Sequence, residues 1–284
     1  MAQIGKSIGF IGSGNMGEAM IAAILKTGLF APDRIWAADI SESRLKDMEK
    51  RFGIGITPGN FQIFKSCDVV VLAVKPQQMA KVLGDMALDI RREVFPQKLI
   101  LSIAAGITLN RLESLLYSDL DDPKQKKMAI IRVMPNTPAL VLSAMSGMAA
   151  NGNCSGEDIQ TARNILSAMG TVIEVEEEQL DAVTAMSGSG PAYFFYFIEA
   201  MIQAGTRLGF DPLIASRLAL ETAGGALKML VELGEAPEDL RRKVTSPGGT
   251  TEAAMNIFNS RQIQQGIIEG ILAAAKRSKE LSQP

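Results

Sequence analysis

Short apolar runs alternate with segments of helical periodicity from Lys6 to about Val175. This alternation is typical of βαβ units built around a parallel sheet. Several of the runs are apolar at consecutive positions, which predicts that helices cover both faces of the sheet. One more amphipathic helix is predicted in EDIQTARNILSAMG, ending at Gly170. The predicted strands are SIGFIG, RIWAAD, GIGIT, DVVVLAV, KLILSIA and AIIRVM, with shorter candidates at SGMAA and TVIEV.

The pattern changes beyond Glu176, where the chain has no convincing strand and carries long helical runs punctuated by glycine and proline. Helix starts are predicted at Pro191 after Ser189 and at Pro212 after Asp211. Proline tolerates the first helical turn, and a short polar side chain before it caps the helix. The helical runs are apolar around much of their circumference, so we expect this all-α region to intertwine with a second copy of the chain.

Charge and composition exclude several classes of partner. With 29 basic against 31 acidic residues and a net charge of -2, the chain has no positive excess to neutralise a phosphate backbone, so nucleic acid is not expected. Apolar runs such as Val69–Val74 are far shorter than the roughly 20 residues of a membrane helix, so no membrane association is expected. A strand-like segment follows Met1 within a few residues, which leaves no space for a signal peptide and predicts a cytoplasmic protein.

Cysteine and histidine usage narrows the chemistry. Cys67 and Cys154 are too few for a disulfide framework or a cysteine-rich metal site, and we interpret both as small buried residues. The sequence contains no histidine, so the commonest general base and metal ligand is missing and no metal site is predicted. The chemistry must therefore come from another side chain or from a bound cofactor.

The segment IGFIGSGNMGEAM contains a G-x-G-x-x-G pattern directly after an apolar strand and at the start of a helix. Gly12 permits the tight turn, Gly14 lets the backbone approach a pyrophosphate, and Gly17 lets the helix pack close to the strand. Unpaired N–H groups at the helix start attract the phosphate charge. A glycine-rich turn also occurs for purely structural reasons, but the flanking strand and helix favour dinucleotide binding here.

Asp39 follows Gly17 by 22 residues, at the carboxyl end of the predicted strand RIWAAD. An acid at this position binds the ribose diol of a dinucleotide. Its charge repels a 2′-phosphate, whereas Ser41, Ser43 and Arg44 could accommodate one. The choice between NAD and NADP therefore stays open.

Two further strand ends belong to the same crevice, because ligands of open α/β sheets bind outside the carboxyl ends of the strands. Lys75 ends the strand in LAVKP and could face the cofactor, although a solvated lysine at a strand exit is an equally simple interpretation. The small side chains of Ser102–Gly106 would let a nicotinamide or its ribose lie against the backbone; tight packing against a helix is the alternative.

The turn TSPGGTT interrupts the helical half of the chain. Gly248 and Gly249 can adopt backbone angles that aim successive N–H groups at one carboxylate, and Pro247 fixes the start of the turn. Thr250 and Thr251 begin the next predicted helix, where unpaired N–H groups favour an anion. A capped surface turn is the simpler alternative, but we favour a binding site for a small anion.

The segments GFIGSGNMG, AVKP, SIAAG, MPNTP, MSGSGPAY and VTSPGGTT occur in this order. Together they closely resemble the pyrroline-5-carboxylate reductases, the last enzymes of proline biosynthesis, over nearly the whole chain. The resemblance implies an α/β fold with a Rossmann-type N-terminal domain and an all-α dimerisation and substrate-binding domain. From the change of pattern after Glu176, we place these domains at residues 1–176 and 177–284. It also implies reduction of a cyclic imine by NADPH or NADH, and assembly as a homodimer or a ring of dimers.

The resemblance carries over to individual positions. Many relatives place a neutral or basic residue near the position of Asp39 and prefer NADPH. The acid in this chain therefore leaves its cofactor preference open. The implied substrate-binding positions are Glu235, Ser246, Pro247, Gly248, Gly249, Thr250 and Thr251. The implied cofactor-binding positions, together with Gly17 of the motif, are Ile11, Gly12, Ser13, Gly14, Asn15, Met16, Asp39, Asn60, Ala73, Val74, Lys75, Pro76, Ile103, Ala104 and Ala105.

The expected substrate, 1-pyrroline-5-carboxylate, suggests a role for the hydroxyl-rich turn. We hypothesise that the Thr251 hydroxyl contacts the ring nitrogen while the backbone of Gly248–Thr250 holds the carboxylate. One competing interpretation is an NAD(P)-dependent dehydrogenase of hydroxy acids, in which Lys75 would serve as the acid/base. Another is a protein that binds the dinucleotide without turnover.

Overall fold

The computed structural model describes residues 3–118 and 120–282. The chain divides into two compact units: the first comprises the chain up to Gly188 together with the segment from Ala274 onward, and the second comprises Ser189–Ala273. The first unit is α/β and the second is helical. The outermost residues of the two predicted domains, 1–176 and 177–284, lie outside the described part of the chain.

A single eight-stranded sheet forms the centre of the first unit, with strand order β3-β2-β1-β4-β5-β6-β7-β8. Every neighbouring pair is parallel except β6 and β7, which are antiparallel. The parallel sheet expected from the sequence is therefore confirmed except at the β6–β7 pair. The strands are β1 Ile8–Ile11, β2 Ile35–Ala38, β3 Gly55–Thr57, β4 Val69–Leu72, β5 Lys98–Ser102, β6 Met128–Met134, β7 Ala144–Ala150 and β8 Gly170–Glu174.

The direction of β7 follows from the length of its connection. A parallel crossover needs about a dozen residues or more, whereas the chain returns to the sheet between Met134 and Ala144 through a 3₁₀-helix at Thr137–Val141. This connection is too short for a parallel crossover, so β7 runs antiparallel to β6. All eight predicted strands are present, and a local apolar pattern does not specify strand direction.

Two apolar clusters pack on the opposite faces of this sheet. Along β4, Val69 and Val71 belong to one cluster, while Val70 and Leu72 belong to the other. All four side chains are buried, because alternate residues of a strand point to opposite faces and helices cover both. The consecutive apolar positions of the sequence are thus explained.

The helices of the first unit lie between and after these strands. The helix predicted in EDIQTARNILSAMG ends at Ser167, and Gly170 instead begins β8 with φ of 151°. A Cβ at Gly170 would lie 2.2 Å from the carbonyl oxygen of Ala144, so close contact between strands requires this glycine. The helices are α1 Asn15–Lys26, α2 Glu42–Phe52, α3 Asn60–Ser66, α4 Pro76–Arg92, α5 Leu109–Leu116, α6 Asp122–Gln125, α7 Gly156–Ser167 and α8 Leu180–Val183, with 3₁₀-helices at Pro32–Arg34 and Glu177–Gln179 and a π-helix at Thr184–Gly188.

The helices of the second unit begin close to the predicted points. The Asp211 side chain caps α10 by accepting a hydrogen bond of 2.9 Å from the N–H of Leu213. Ser189 has helical backbone angles and makes no side-chain cap, because the chain before it is already a π-helix, so this predicted cap is wrong. The helices are α9 Gly190–Arg207, α10 Pro212–Leu233, α11 Pro237–Lys243, α12 Thr250–Ser260 and α13 Ile263–Ser282.

The carboxyl-terminal part of α13 belongs to the first unit. The Ser278 hydroxyl donates a hydrogen bond of 2.6 Å to Asp181, and Ser282 donates one of 3.2 Å to the same carboxylate oxygen. A Cβ at Gly106 would lie 3.2 Å from the carbonyl oxygen of Leu281. These contacts join the last turns of α13 to α8, at Asp181, and to the segment after β5, at Gly106.

The two cysteines are free thiols. Cys67 is buried and Cys154 is half-buried, so the predicted burial is confirmed for the first and partial for the second. Burial raises the pKa of the Cys67 thiol to about 12, which keeps it protonated and unreactive. In the part of the chain that the structure describes, no helix combines the length and apolar character needed to cross a bilayer.

Candidate active site

The predicted cofactor positions gather at one edge of the sheet. Strands β3, β2, β1, β4 and β5 are adjacent and parallel, so their carboxyl ends point the same way. The segments that follow these ends carry Asn60, Asp39, the Gly12–Gly17 loop, Ala73–Pro76 and Ile103–Ala105, respectively. Residues that are far apart in the sequence therefore share one crevice, as parallel topology requires.

The glycine loop packs too closely against its neighbours for larger side chains. Gly12 has a φ of 95°, and a Cβ there would lie 2.8 Å from the backbone of Ala73. A Cβ at Gly17 would lie 2.9 Å from the carbonyl oxygen of Gly12. No neighbouring atom lies within 4 Å of a Cβ built at Gly14, so this side of the loop is open to a ligand.

The start of α1 offers backbone donors on that open side. The first intrahelical hydrogen bond runs from the N–H of Glu18 to the carbonyl of Gly14, at 2.9 Å. The N–H groups of Asn15, Met16 and Gly17 precede it and have no acceptor within the helix. These donors and the helix dipole favour a phosphate group, so the residues present fit the pyrophosphate of a dinucleotide.

Asp39 is bound to the glycine loop itself. One carboxylate oxygen accepts hydrogen bonds from the Ser13 N–H and hydroxyl, at 2.8 and 3.0 Å, and the other accepts one of 2.9 Å from the Ser41 N–H. Burial raises the pKa of Asp39, but these hydrogen bonds and the charge of Arg44 lower it more, so the pKa lies below its usual value. The carboxylate is therefore ionised and orients the loop.

An ion-pair network next to Asp39 was not predicted from the sequence. Glu18 pairs with Arg44 and also with Arg51, the latter at 2.5 Å. Asp47 lies 2.9 Å from Arg51 and 3.7 Å from Arg44. Glu18 and Arg44 stand on different helices, so the sequence offers no local spacing that would have indicated their contact.

The remaining cofactor positions differ in their exposure. Lys75 is exposed and precedes Pro76, which begins α4, while Asn60 is half-buried at the start of α3. Ser102, at the end of β5, has a buried hydroxyl without a hydrogen-bond partner among the described residues. It directly precedes Ile103–Ala105. This unpaired hydroxyl is compatible with a polar ligand group at the predicted nicotinamide position.

The predicted substrate turn lies at the start of α12, in the second unit. Gly248 has a φ of 72°, and a Cβ at Gly249 would lie 2.6 Å from the Ser246 hydroxyl oxygen. The Gly248 N–H donates a hydrogen bond of 2.8 Å to the carboxylate of Glu252. Thr250 is exposed and Thr251 is half-buried. The turn therefore already binds a carboxylate, which belongs to its own helix.

Glu235, the other predicted substrate residue, forms an ion pair with Lys243. The pair joins the loop after α10 to the end of α11, and the Glu235 side chain is 33% exposed. This contact supplies a structural role for Glu235. It brings the Glu235 carboxylate close to the segment that leads into Ser246–Thr251.

Together the fold and the glycine cradle define a dinucleotide-binding protein of the Rossmann type with an appended helical unit. A family model described as "Pyrroline-5-carboxylate reductase dimerisation" matches residues 177–281, and one described as "NADP oxidoreductase coenzyme F420-dependent" matches residues 7–106. The pyrroline-5-carboxylate reductase of Methanosarcina acetivorans is 39% identical over 98% of both chains. That of Pseudomonas aeruginosa is 40% identical over 97% of both chains.

Solved structures give the same result. The pyrroline-5-carboxylate reductase of Coxiella burnetii has a TM-score of 0.86 and 36% identity, covering 98% of this chain and 99% of its own. The pyrroline carboxylate reductase of Plasmodium falciparum, solved with NADP bound, has a TM-score of 0.86 and 26% identity, covering 99% and 100%. The chain belongs to the pyrroline-5-carboxylate reductase family. The family resemblance and the fold class expected from the sequence motifs are confirmed.

Proposed function

We propose that this chain is a pyrroline-5-carboxylate reductase, which reduces 1-pyrroline-5-carboxylate to L-proline with NADPH or NADH as the reductant. Relatives of this name match nearly the full length of the chain at 39 and 40% identity. The cradle at Gly12–Gly17 fits the pyrophosphate of either cofactor. The reaction is the last step of proline biosynthesis.

One observation carries the proposal beyond family membership: the Gly248 N–H binds the Glu252 carboxylate. A turn that holds one carboxylate through a backbone donor has the chemistry to hold the carboxylate of a small amino-acid precursor. The N–H groups of Thr250 and Thr251, at the start of α12, supply further donors and a favourable dipole. Substrate binding at this turn would exchange the internal carboxylate for the external one.

The reduction adds a hydride to the carbon of the protonated C=N bond and moves the π electron pair to nitrogen, which leaves a neutral secondary amine. This amine then takes up a proton from water. The reduced nicotinamide supplies the hydride when bound. The chain itself must bind and orient the imine. We assign the carboxylate to the backbone of Gly248–Thr250 and the ring nitrogen to the Thr251 hydroxyl, with Glu235 and Ser246 beside them. This arrangement requires no histidine, because the imine nitrogen is readily protonated in water.

The remaining assignments follow the same division of the chain. Residues 1–176 would bind the cofactor through the positions at the carboxyl edge of the sheet, and residues 177–284 would provide dimerisation and the substrate turn. The chain self-associates through the region that the dimerisation family model matches. A homodimer or a ring of dimers, a cytoplasmic location, and the lack of nucleic-acid or membrane partners belong to the proposal.

Replacement of Thr251 tests the assignment of the hydroxyl. Thr251→Val keeps the shape of the side chain and removes the hydroxyl, so we expect kcat to fall about 10²-fold if the group orients the nitrogen. Thr251→Ser keeps the hydroxyl and should retain kcat within a few-fold, which makes it the matched control. An unchanged kcat and KM in Thr251→Val would overturn the role.

A cofactor-consumption assay tests the function itself. NADPH and NADH oxidation would be followed with 1-pyrroline-5-carboxylate, with a panel of keto acids, and without a second substrate. Turnover that depends on the cyclic imine supports the proposal. Turnover with keto acids alone, or cofactor binding without turnover of any compound, would refute it in favour of a hydroxy-acid dehydrogenase or a dinucleotide-binding protein.

A further inference from the structure

Five charged side chains surround the end of β2 and the start of α1: Glu18, Asp39, Arg44, Asp47 and Arg51. Three carboxylates and two guanidinium groups give this cluster one more negative than positive charge. Every carboxylate in it is bound: Glu18 by both arginines, Asp47 by Arg51, and Asp39 by N–H and O–H donors. The cluster is therefore an organised network.

Arg44 is the member that could attract a 2′-phosphate. In dinucleotide-binding folds, an arginine near the end of this strand accommodates the additional phosphate of NADP, whereas an acid there binds the free ribose diol of NAD. The Arg44 guanidinium is already engaged. Its Nε donates a hydrogen bond of 2.8 Å to the Ser13 carbonyl, and its terminal nitrogens pair with Glu18 and lie 3.7 Å from Asp47.

Glu18 forms the main ion pair with Arg44. The Glu18 side chain is 19% exposed and the Arg44 side chain 28%, so water screens their pairing less than it screens a surface ion pair. Burial raises the pKa of Glu18, but the hydrogen bonds and charges of Arg44 and Arg51 lower it more. Glu18 therefore stays ionised at neutral pH and neutralises the positive charge that a phosphate would seek.

Asp39 adds a second barrier to a 2′-phosphate. Its carboxylate is ionised and fixed by Ser13 and Ser41 at the position where the ribose diol binds in this class of fold. A phosphate dianion there would meet an unbalanced negative charge unless an arginine were released to it. The hydroxyls of Ser41 and Ser43, which hydrogen-bond each other at 3.1 Å, supply no positive charge.

We propose that Glu18 is a specificity-determining residue, which binds the Arg44 guanidinium and so makes this chain prefer NADH over NADPH. The proposal rests on the dinucleotide-dependent function proposed above. Glu18 lies outside the glycine motif and away from the end of β2, and its effect is confined to the 2′-phosphate. Glu18 acts through Arg44 and is not a ligand of the cofactor.

Binding of two cofactor fragments tests this without any substrate. Adenosine 2′,5′-bisphosphate and adenosine 5′-phosphate differ only by the 2′-phosphate, and isothermal titration calorimetry measures both dissociation constants. The unmodified protein should bind the 5′-phosphate more tightly. In Glu18→Gln, the dissociation constant of the 2′,5′-bisphosphate should fall roughly tenfold relative to that of the 5′-phosphate, because one opposing charge is lost and Arg44 is released.

Two variants make the test specific. Glu49→Gln removes the same charge from an exposed position of α2 and should leave the ratio of the two dissociation constants unchanged. Adding Arg44→Gln to Glu18→Gln should cancel the gain if Arg44 carries the effect. The proposal is overturned if Glu18→Gln shifts both constants equally or neither, or if the double variant keeps the gain.

Catalysis provides a second readout. The ratio of kcat/KM for NADPH to that for NADH should rise in Glu18→Gln by a similar factor, through KM, with kcat little changed. A protein that binds both fragments as expected but reduces no cyclic imine would leave the Glu18 assignment intact and refute the proposed function. Equal affinities for the fragments in an active enzyme would do the reverse.

Discussion

The two units of this chain use apolar residues in opposite ways. In the first unit, every residue of β1, β4 and β5 is buried between helices. In Ser189–Ala273, all of which the structure describes, only Gly190, Ala215 and Ala219 are buried. Of the five consecutive aromatic residues Tyr193–Phe197, the last four are 52–77% exposed. The first unit has a hydrophobic core of its own, whereas the second unit exposes the apolar side chains that would form one.

This difference shows what completes each unit. Monomeric proteins rarely expose contiguous apolar surface on this scale, and such surface marks an interface. The dimerisation family model matches this region, so a second copy of the chain is the partner that covers it. Folding of the first unit is therefore an intramolecular matter, whereas the second unit gains its core through association.

A charge placed on the aromatic face should give the largest effect. Phe195 is 63% exposed in the single chain, and Phe195→Glu would bury an unpaired carboxylate in the dimer. We expect the dimer dissociation constant to rise about a thousandfold, because an uncompensated buried charge costs several kcal/mol. Sedimentation equilibrium measures the change.

The matched control is Val94→Glu in the first unit, where Val94 is 83% exposed. This variant should associate as the unmodified protein does. Equal weakening by both substitutions would mean that the contrast between the units is wrong, and so would an unaffected dissociation constant in Phe195→Glu.

Truncation of a core side chain should have the next largest effect. Phe10 is fully buried in the first unit, and Phe10→Ala should lower the free energy of unfolding by about 3–5 kcal/mol. The difference from the unmodified protein should be the same at every protein concentration, because the lost contacts are within one chain. Denaturant titrations at several concentrations measure it.

Leu88→Ala, at a 57% exposed position of α4, should change the stability by less than about 0.5 kcal/mol. If the effect of Phe10→Ala instead varied with protein concentration, the first unit would depend on association as the second does.

Two helices of the second unit, α9 and α10, pack closely against each other. A Cβ at Gly205 in α9 would lie 2.8 Å from the Cβ of Ala215 in α10. Gly205→Ala should therefore lower the free energy of unfolding by about 1–3 kcal/mol, through overpacking between the two helices. Thermal unfolding at fixed protein concentration measures the loss.

Gly84→Ala serves as its counterpart in the first unit. Gly84 is inside α4, and no neighbouring atom lies within 4 Å of a Cβ built there, so the substitution should stabilise the protein by about 0.5–1 kcal/mol. Stabilisation by Gly205→Ala would show that α9 and α10 do not pack as described.

The smallest effect concerns pH. Asp68 accepts hydrogen bonds of 2.8 Å from both the Ser7 N–H and its hydroxyl. Burial raises the pKa of Asp68, but these bonds and the Lys98 charge lower it more. Because the folded pKa lies below the unfolded value, the stabilisation is complete above about pH 4 and is lost as the pH falls through the folded pKa.

Asp68→Asn should thus cost of order 1 kcal/mol at neutral pH, with a difference from the unmodified protein that shrinks under acid. Denaturant titrations from pH 7 to pH 3 measure the trend. Asp89→Asn, at an exposed position of α4, should change the stability at neutral pH by less than about 0.5 kcal/mol. A constant difference for Asp68→Asn down to pH 3 would contradict the ionic contribution.

The features predictable from the sequence are those that one short segment determines. The glycine loop is an example, because the turn, the close approach of Ala73 and the start of α1 each require a particular residue of the motif. The cap at Asp211 is another. The direction of β7 was not predictable from its own residues, because it depends on the length of the connection before it.

At the site too, several of the contacts that the sequence did not predict depend on segments that are distant along the chain. Asp39 was expected from its spacing, but its bonds to Ser13 and Ser41 depend on how the loop folds back. The Glu18–Arg44 pair joins two helices, and nothing in either segment indicates the other. The carboxylate of Glu252 on Gly248 was also not foreseen, although the turn was expected to bind an anion.

The return of α13 to the first unit affects the order in which the two units can fold during synthesis. Ser278 and Ser282 bind Asp181, so the α/β unit includes residues synthesised after the whole of Ser189–Ala273. Domains generally fold as they emerge from the ribosome. Here the nascent sheet lacks the last turns of α13 until after the exposed aromatic residues of α9 have been synthesised.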